Sequence, residues 1–584
     1  MLTIEYDNAT AYIKGDFTQT KPGYELHNIL RERLGYHNTA AEWSDKFKTG
    51  MWDGVVSLYS KRTQSFPTGL VVRCGEIFDE LDIDYIIKDI RPKPKKNFKV
   101  VNNQEKHNRE IRDYQEHAVV KALEIKSEEE LEGRGIIASS VGSGKTTIAC
   151  EIFARTQCAP VIFVVPTKSL LKQAKREFEK FLELNNLPIE VGMVGDGVCD
   201  VKLDGITVIT WQSCLSAFNE KFVPSKNKIV EEDFIGERVK KTNKQLQNEY
   251  NEAKTKLEQA EFLLGNQYKE LDTKAKEKKI KTECKVLQQN FVKAKNALKR
   301  RIDNLNNKKV IKELIENAQL LMVDEAHIAA IVIEQVSKHA KNAYYKLGLS
   351  ATPYREDNQE IRIEGAFGRI LVYISASDLI EMGYLSDTYV YFIKLSESEE
   401  GEDYADDYSL NIVNHWEKNY RTKQFAEGFK EMGKPVLILV EQIEHGKLLE
   451  SLIKDAVFVA GSDKGDDVDE ESDEHEDYRF RMLDACQRNE IVLIATSWAY
   501  TGVDAPDLGV LILAGSNSSA STTMQQIGRV LRKTKIKTEA IVIDFFHPHA
   551  TFRKHSNARL KVSKNERAFK ILNISTGNKA KKVQ

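Results

Sequence analysis

Seven cysteines stand scattered in 584 residues, with no paired short spacing. That pattern fits reduced thiols and excludes a disulfide frame or a cysteine-based zinc site. The twelve histidines form no ligand cluster either. No apolar run reaches the ~20 residues that a membrane span needs. Residues 1–7 carry acids and lack the apolar core of a signal peptide, so a cytoplasmic protein is expected. Net charge is almost absent: 86 Lys and Arg against 88 Asp and Glu leave −2. That balance hides strong local asymmetry. A hydrophobic content of 41% with 30% charged residues describes a globular chain with highly charged segments. The length exceeds what one core serves and predicts roughly three to five domains.

One stretch organises the rest. Ser139-Ser140-Val141-Gly142-Ser143-Gly144-Lys145-Thr146-Thr147 follows an apolar run at 135–138 and opens a helix-compatible run at 148–154. Buried strand, Gly-rich turn and helix start are the parts of a P-loop. Its backbone N–H groups and helix N-terminus face phosphates. Lys145 is expected to reach the β/γ-phosphates and the Thr146 hydroxyl to ligate Mg²⁺. The first position is Ser139, where the usual pattern has Gly or Ala; the turn itself needs Gly142 and Gly144. Alone, the motif says only "nucleotide".

Residues 1–90 read as a small α+β domain, with strands at 2–6, 55–59 and 85–87 around one helix near 24–34. The turn-rich segment Phe47-Lys48-Thr49-Gly50-Met51-Trp52-Asp53-Gly54 sets an aromatic among basic residues. Two readings stay open: Trp52 in the domain core, or a nucleic-acid platform using Trp52 with Lys46, Lys48, Lys61 and Arg62 on phosphates. Residues 91–110 read as an extended basic linker, opening Arg91-Pro92-Lys93-Pro94-Lys95-Lys96. A helix over 112–122 then carries Gln115, whose amide donor and acceptor suit an adenine edge.

Beyond the P-loop helix, strands at 160–167, 191–194 and 206–212 with a helix at 170–184 imply a doubly wound parallel sheet. Ligands of such sheets sit beyond the carboxyl ends of the strands. Residues 236–309 break the pattern, being polar, helix-favouring and free of proline. Leu246, Tyr250, Ala253, Leu257, Ala260 and Leu264 make one apolar stripe; Leu287, Phe291, Ala294, Leu298, Ile302 and Leu305 make another. The spacing predicts an antiparallel helical hairpin turning near 271–281, with arms of about 50 Å. The insert is clearly basic. It reads equally as a solvated spacer or as an arm for nucleic acid or a protein partner.

The sheet resumes at 320–323 and ends in Asp324-Glu325-Ala326-His327. Asp324 at a strand tip suits Mg²⁺ opposite the P-loop, and Glu325 is placed to orient or deprotonate a water. A further strand ends in Ser350-Ala351-Thr352-Pro353. Acidic stretches at 396–407 and 463–477 read as exposed loops. A second α/β unit follows, with strands at 436–440, 491–496, 509–513 and 541–544, the last closing the sheet. It holds no P-loop but carries Gly502-Val503-Asp504 and Gln525-Gln526-Ile527-Gly528-Arg529-Val530-Leu531-Arg532. The two arginines, three apart on one expected helix, project to one side. Residues 553–584 are basic and read as a helix with a frayed tail.

In this order, over 110–546, the motifs resemble a superfamily 2 helicase or translocase with a DEAH-type second motif. The resemblance implies an α/β architecture of two RecA-like doubly wound domains, a small N-terminal α+β domain and a helical-hairpin, coiled-coil insertion. The boundaries are 1–90, a linker at 91–110, a first motor domain at 111–385 with the insert at 236–309, a second at 386–550, and a basic tail at 551–584. ATP and Mg²⁺ are the implied cofactors. Gln115, Gly142, Ser143, Gly144, Lys145, Thr146, Thr147 and Asp504 hold the nucleotide, and Thr146 and Asp324 the metal. Lys145, Asp324, Glu325, Gln525, Arg529 and Arg532 carry catalysis, the arginines acting on the γ-phosphate from across the cleft. Pro166, Thr167, Thr210 and Gln212 touch the nucleic-acid backbone, and Ser350 and Thr352 couple hydrolysis to movement.

The segment 47–54, with Phe66-Pro67-Thr68-Gly69-Leu70, is similar to the N-terminal domain of UvsW-type phage recombination helicases, adding Lys48 and Trp52 as DNA contacts. That resemblance implies an ATP-dependent DNA helicase or translocase that unwinds or branch-migrates forks, D-loops and Holliday junctions. It implies a monomer with no membrane partner, in a host cell's cytoplasm if phage-encoded. The alternatives are an RNA helicase or transcript-release ATPase, and an ATP-dependent DNA-binding adaptor that does not unwind.

Overall fold

A computed structural model describes residues 1–17, 25–94, 96, 111–123, 130–218, 243–351, 358–461, 473–496, 505–575 and 578–582. Two compact units form: Met1–Trp211 with Glu316–Gln584, and Gln212–Ile315.

The first unit begins with a four-stranded sheet in the order Ser65–Pro67, Thr10–Lys14, Leu2–Tyr6, Tyr85–Asp89. Alternation in Leu2–Tyr6 turns Leu2, Ile4 and Tyr6 inward. They meet two helices, Leu26–Arg33 and Val71–Glu80, where the sequence suggests one. The second is hidden behind the turn at 66–70, yet Val71, Cys74, Ile77 and Phe78 follow helical spacing and are all buried. Trp52 is not part of this core. It is half-buried, and its indole N–H donates to the Val55 carbonyl at 2.9 Å.

This domain is fused to the P-loop-bearing lobe. A Cβ on Gly69 would stand 2.0 Å from the Glu364 carbonyl oxygen, and Arg73 forks onto the Glu364 carboxylate. Arg91, read as linker, is instead buried. It pairs with Asp89 at 2.7 Å and lies between the Tyr6 and Tyr344 rings at 5.2 and 4.4 Å.

The sheet of that lobe has eight strands, in the order Val198–Asp200, Val191–Gly195, Ile206–Thr210, Val161–Val165, Leu320–Asp324, Tyr345–Ser350, Arg134–Ser139, Ile370–Ile374. All neighbours are parallel except the first pair. Helices on both faces explain why the central strands are continuous apolar runs. The order sets Leu320–Asp324 one strand from Arg134–Ser139, so Asp324, Ser350 and the P-loop emerge at one edge. The strand read as 206–212 ends at Thr210; Trp211 and Gln212 open the helix Trp211–Phe218.

The second eight-stranded sheet runs Ala456–Val459, Val492–Ala495, Val436–Leu439, Val510–Leu513, Glu539–Phe546, Asp387–Lys394, Lys570–Ser575, Asn578–Lys582. Glu539–Phe546 therefore lies inside the sheet and does not close it. The expected helix forms over Ala550–Asn565, but the tail expected to fray after it forms two more strands. Phe569 and Ile571, buried within a basic sequence, anchor the first of these. Of the acidic stretch 463–477, residues 463–472 lie outside the described part and the rest opens the helix Asp473–Gln487.

The second unit carries the helices Asn243–Gln267 and Thr273–Glu283 and most of Lys285–Asn317. The two apolar stripes meet, with the Tyr250 and Phe291 rings 5.5 Å apart. The expected turn holds a third helix, capped by Asp272 accepting from the Ala275 N–H at 3.0 Å. Among the described residues no helix is long and apolar enough to cross a membrane.

Candidate nucleotide site

The P-loop turn rests on two glycines with φ of +84° at Gly142 and +81° at Gly144, a conformation that other residues adopt only at a cost. A Cβ on Gly144 would also stand 2.5 Å from Gln115 Nε2. Gly144 caps the helix Lys145–Thr156, which aims its N-terminus into the cleft. Behind the loop, the Ser143 carbonyl accepts from the Tyr114 hydroxyl and from Gln115 Nε2, both at 2.7 Å. Gln115 Oε1 accepts from the Arg112 N–H at 3.1 Å. Gln115, expected on adenine, here engages both ends of its amide with the protein and braces the loop.

Lys145 Nζ lies 2.5 Å from Glu325 Oε1 and 4.0 Å from Asp324 Oδ1. Burial pushes the Asp324 carboxyl up to about 6, against the pull of the Lys145 ammonium. Burial also acts to raise Glu325, but the adjacent ammonium prevails and holds it below the ordinary carboxylate value. Glu325 has a φ of +48°, in a left-handed region that costs a non-glycine residue about 1–2 kcal/mol. It is held there because its N–H donates to Asp324 Oδ1 and its carbonyl accepts from the Ile328 N–H, both at 3.0 Å. His327 Nδ1 lies 2.7 Å from the Ser350 hydroxyl and 3.5 Å from Glu325 Oε2. The acids are thereby joined to the strand end that carries Ser350. Thr352 and Asp504 lie outside the described residues.

The opposite wall comes from the second sheet. Gln525, Gly528 and Arg529 of the helix Ala520–Leu531 line the cleft, as does Arg532. Arg532 does not share that helix. It follows the last turn in extended conformation and bridges to Leu385, so backbone pairing, not helical spacing, sets its direction. The two walls touch where a Cβ on Gly528 would stand 2.5 Å from Val141 Cβ. Gly528→Ala is therefore expected to overpack this contact and lower kcat/KM for ATP about 10–100-fold. Val141→Gly in the same chain should recover part of the loss, which steady-state kinetics on the two single variants and the double variant would read.

The arginine-bearing helix is braced from behind by residues that no spacing in the sequence singles out. Arg559 pairs with Asp544 at 2.8 Å and donates to the Asn517 carbonyl at 2.7 Å. Asn517 Nδ2 donates to Gln526 Oε1 at 2.9 Å.

Pro166 and Thr167, expected on nucleic acid, line this same cleft, with Leu170 and Gln173 beside them. Thr167 caps the helix Lys168–Leu184 by accepting from the Leu170 N–H at 3.3 Å. Thr210, also expected on nucleic acid, is only 5% exposed and offers a strand almost no surface. Gln212 is half-buried, Lys48 exposed. Thr146 lines the cleft; Thr147 follows it on the same helix. The Thr146 hydroxyl and the Asp324 carboxylate give hard oxygen donors that fit Mg²⁺, which takes few protein ligands beside phosphate oxygens. Among the described residues no group of three or more His, Cys, Asp or Glu could hold a metal alone.

Two doubly wound lobes, one bearing a P-loop and paired acids and the other arginines facing them, resemble the motor of superfamily 2 helicases. Residues 108–235 match the family described as type III restriction enzyme, res subunit, and 421–534 the helicase conserved C-terminal domain. These domains imply ATP use. The chain resembles UvsW-type helicases in particular: it is 25% identical to the ATP-dependent DNA helicase uvsW of Enterobacteria phage T4, over 43% of this chain and 50% of that protein. It is 30% identical to a protein named helicase 22 of Sulfolobus islandicus filamentous virus, over 45% of this chain and 48% of the other. A crystal structure of T4 UvsW aligns with 98% of this chain and 99% of its own at 17% identity, with a TM-score of 0.38. The chain spans about half the length of these two relatives.

Proposed function

We propose that the protein is an ATP-dependent DNA helicase or translocase that remodels branched DNA, working as a monomer in a host cytoplasm. The observation that carries the reading is a cleft in which Lys145, Asp324 and Glu325 face Gln525, Arg529 and Arg532. With charge-stabilising groups split between lobes, ATP favours the closed cleft, and hydrolysis reopens it. Lobes that grip a strand alternately then step along it. In this reading Thr146 and Asp324 hold Mg²⁺, Glu325 activates water, and Gln115 and Asp504 complete the nucleotide site. The N-terminal domain supplies a DNA surface, on which Trp43 is 81% exposed and Lys46, Lys48, Lys61 and Arg62 are exposed as well.

The test is steady-state ATP hydrolysis at fixed salt, with no nucleic acid, single-stranded DNA, linear duplex, a four-way junction and matched RNA. The expected result is strongest stimulation by the junction. Strongest stimulation by RNA would overturn the substrate and leave the motor standing.

A further inference from the structure

The helical insert is not evenly basic. The first arm, Asn243–Gln267, carries three Lys against four Glu. From Thr273 to Ile315, fourteen Lys and Arg face four Asp and Glu. The positive charge therefore sits on the tip helix and the returning arm. A solvated spacer needs charge of either sign on both arms, and segregation onto one of them is not explained by solubility.

The returning arm orders that charge. At 100° per residue, Lys285, Lys293, Lys299 and Arg300 fall within a sector of about 120°. The half-buried stripe of Leu287, Phe291, Ala294 and Leu298 occupies the opposite side. All four basic residues are exposed, and none has an ion-pair partner among the described residues. On the first arm Lys254 pairs with Glu258. At 1.5 Å per residue the row from Lys285 to Arg300 spans about 22 Å on a straight helix. A stiff row of cations of that length suits a partner whose negative charges are also held in a stiff row.

We infer that the outer face of Lys285–Asn317 is a duplex-DNA contact, with Lys285, Lys293, Lys299 and Arg300 on phosphates of one backbone. The inference rests on the function proposed above and extends it: the motor carries a second, sequence-independent grip on its substrate through the insert. Val286 and Val292 are 65% and 50% exposed beside these cations. An acidic protein partner would use them as well as the charges, whereas a phosphate backbone uses the charges alone.

The test is binding of a labelled blunt DNA duplex to the full-length protein without ATP, across a salt series, read by fluorescence anisotropy. The proteins are the wild type, a variant combining K285Q, K293Q, K299Q and R300Q, and a second combining V286S and V292S. The charge variant is expected to bind at least tenfold more weakly, with the log–log salt slope reduced by roughly 2–4. Its ATP turnover without DNA should be unchanged, because none of the four residues lies in the nucleotide cleft. The valine variant should match the wild type. Equal binding and equal slopes for wild type and charge variant would overturn this inference alone. A larger loss in the valine variant would overturn it in favour of a protein partner. No duplex binding by the wild type would overturn it together with the proposed function.

Discussion

Replacing Glu325 with Gln is expected to lower kcat for ATP by about 10²–10⁴-fold, the range for loss of a positioned general base, while leaving nucleotide binding intact or tighter. Glutamine keeps the size of the side chain and can still accept a hydrogen bond from Lys145, so the left-handed turn at 325 and the strand end behind it should survive. It cannot take a proton from water. It also removes the carboxylate that now holds the Lys145 ammonium at 2.5 Å. A phosphate entering the cleft competes with that carboxylate for Lys145, and a neutral amide competes less well. Titration with a non-hydrolysable ATP analogue, beside steady-state turnover, separates the two effects. Wild-type turnover in Glu325→Gln would remove Glu325 from the chemistry. Lys145→Ala should also abolish turnover, but it is the poorer probe. It leaves two buried carboxylates without their cation, a change that costs about 3–5 kcal/mol in comparable buried pairs and confounds catalysis with folding.

What was legible in the sequence is what local chemistry dictates. Gly142 and Gly144 are forced by a turn that needs positive φ, and the apolar run before Asp324 is forced by a strand buried on both faces. Those two signals place the nucleotide cleft without any knowledge of the fold. What was not legible depends on partners far along the chain. Nothing near Gly528 announces Val141, and nothing near Asn517 announces Arg559, because each pair meets only when the lobes or the last helix pack. Thr210 reads as a polar strand end, yet packing around Gly195 buries it. The last two strands were masked by their composition. Lys570 opens the first, and three lysines fill the five residues of Asn578–Lys582, so the stretch reads as a continuation of the basic helix before it. Arg532 shows the limit of spacing arguments: three residues after Arg529 means one helix face only if the helix continues, and it stops at Leu531.

Arg529→Ala is expected to reduce kcat by about 10³-fold or more, in line with arginine fingers on phosphoryl transfer, with a much smaller change in KM. The reason is that charge on the transferring phosphoryl oxygens grows toward the transition state, and a guanidinium aimed there acts mainly on that state. Arg529→Lys should recover little, since an ammonium lacks the planar fork that meets two oxygens at once. Arg532→Ala should behave in the same way, but the route to its position differs. Arg529 is placed by a helix braced through Gln526, Asn517 and Arg559, whereas Arg532 is placed by its backbone bridge to Leu385. Arg559→Ala should therefore depress kcat through Arg529, and its effect should shrink when introduced into the Arg529→Ala background. In the Arg532→Ala background the effect of Arg559→Ala should persist. Rapid-mixing measurement of single-turnover hydrolysis on this set of variants reads the chemical step directly. An unchanged single-turnover rate in Arg529→Ala would exclude it as a group acting on the phosphate, and would leave Arg532 as the arginine that closes the site.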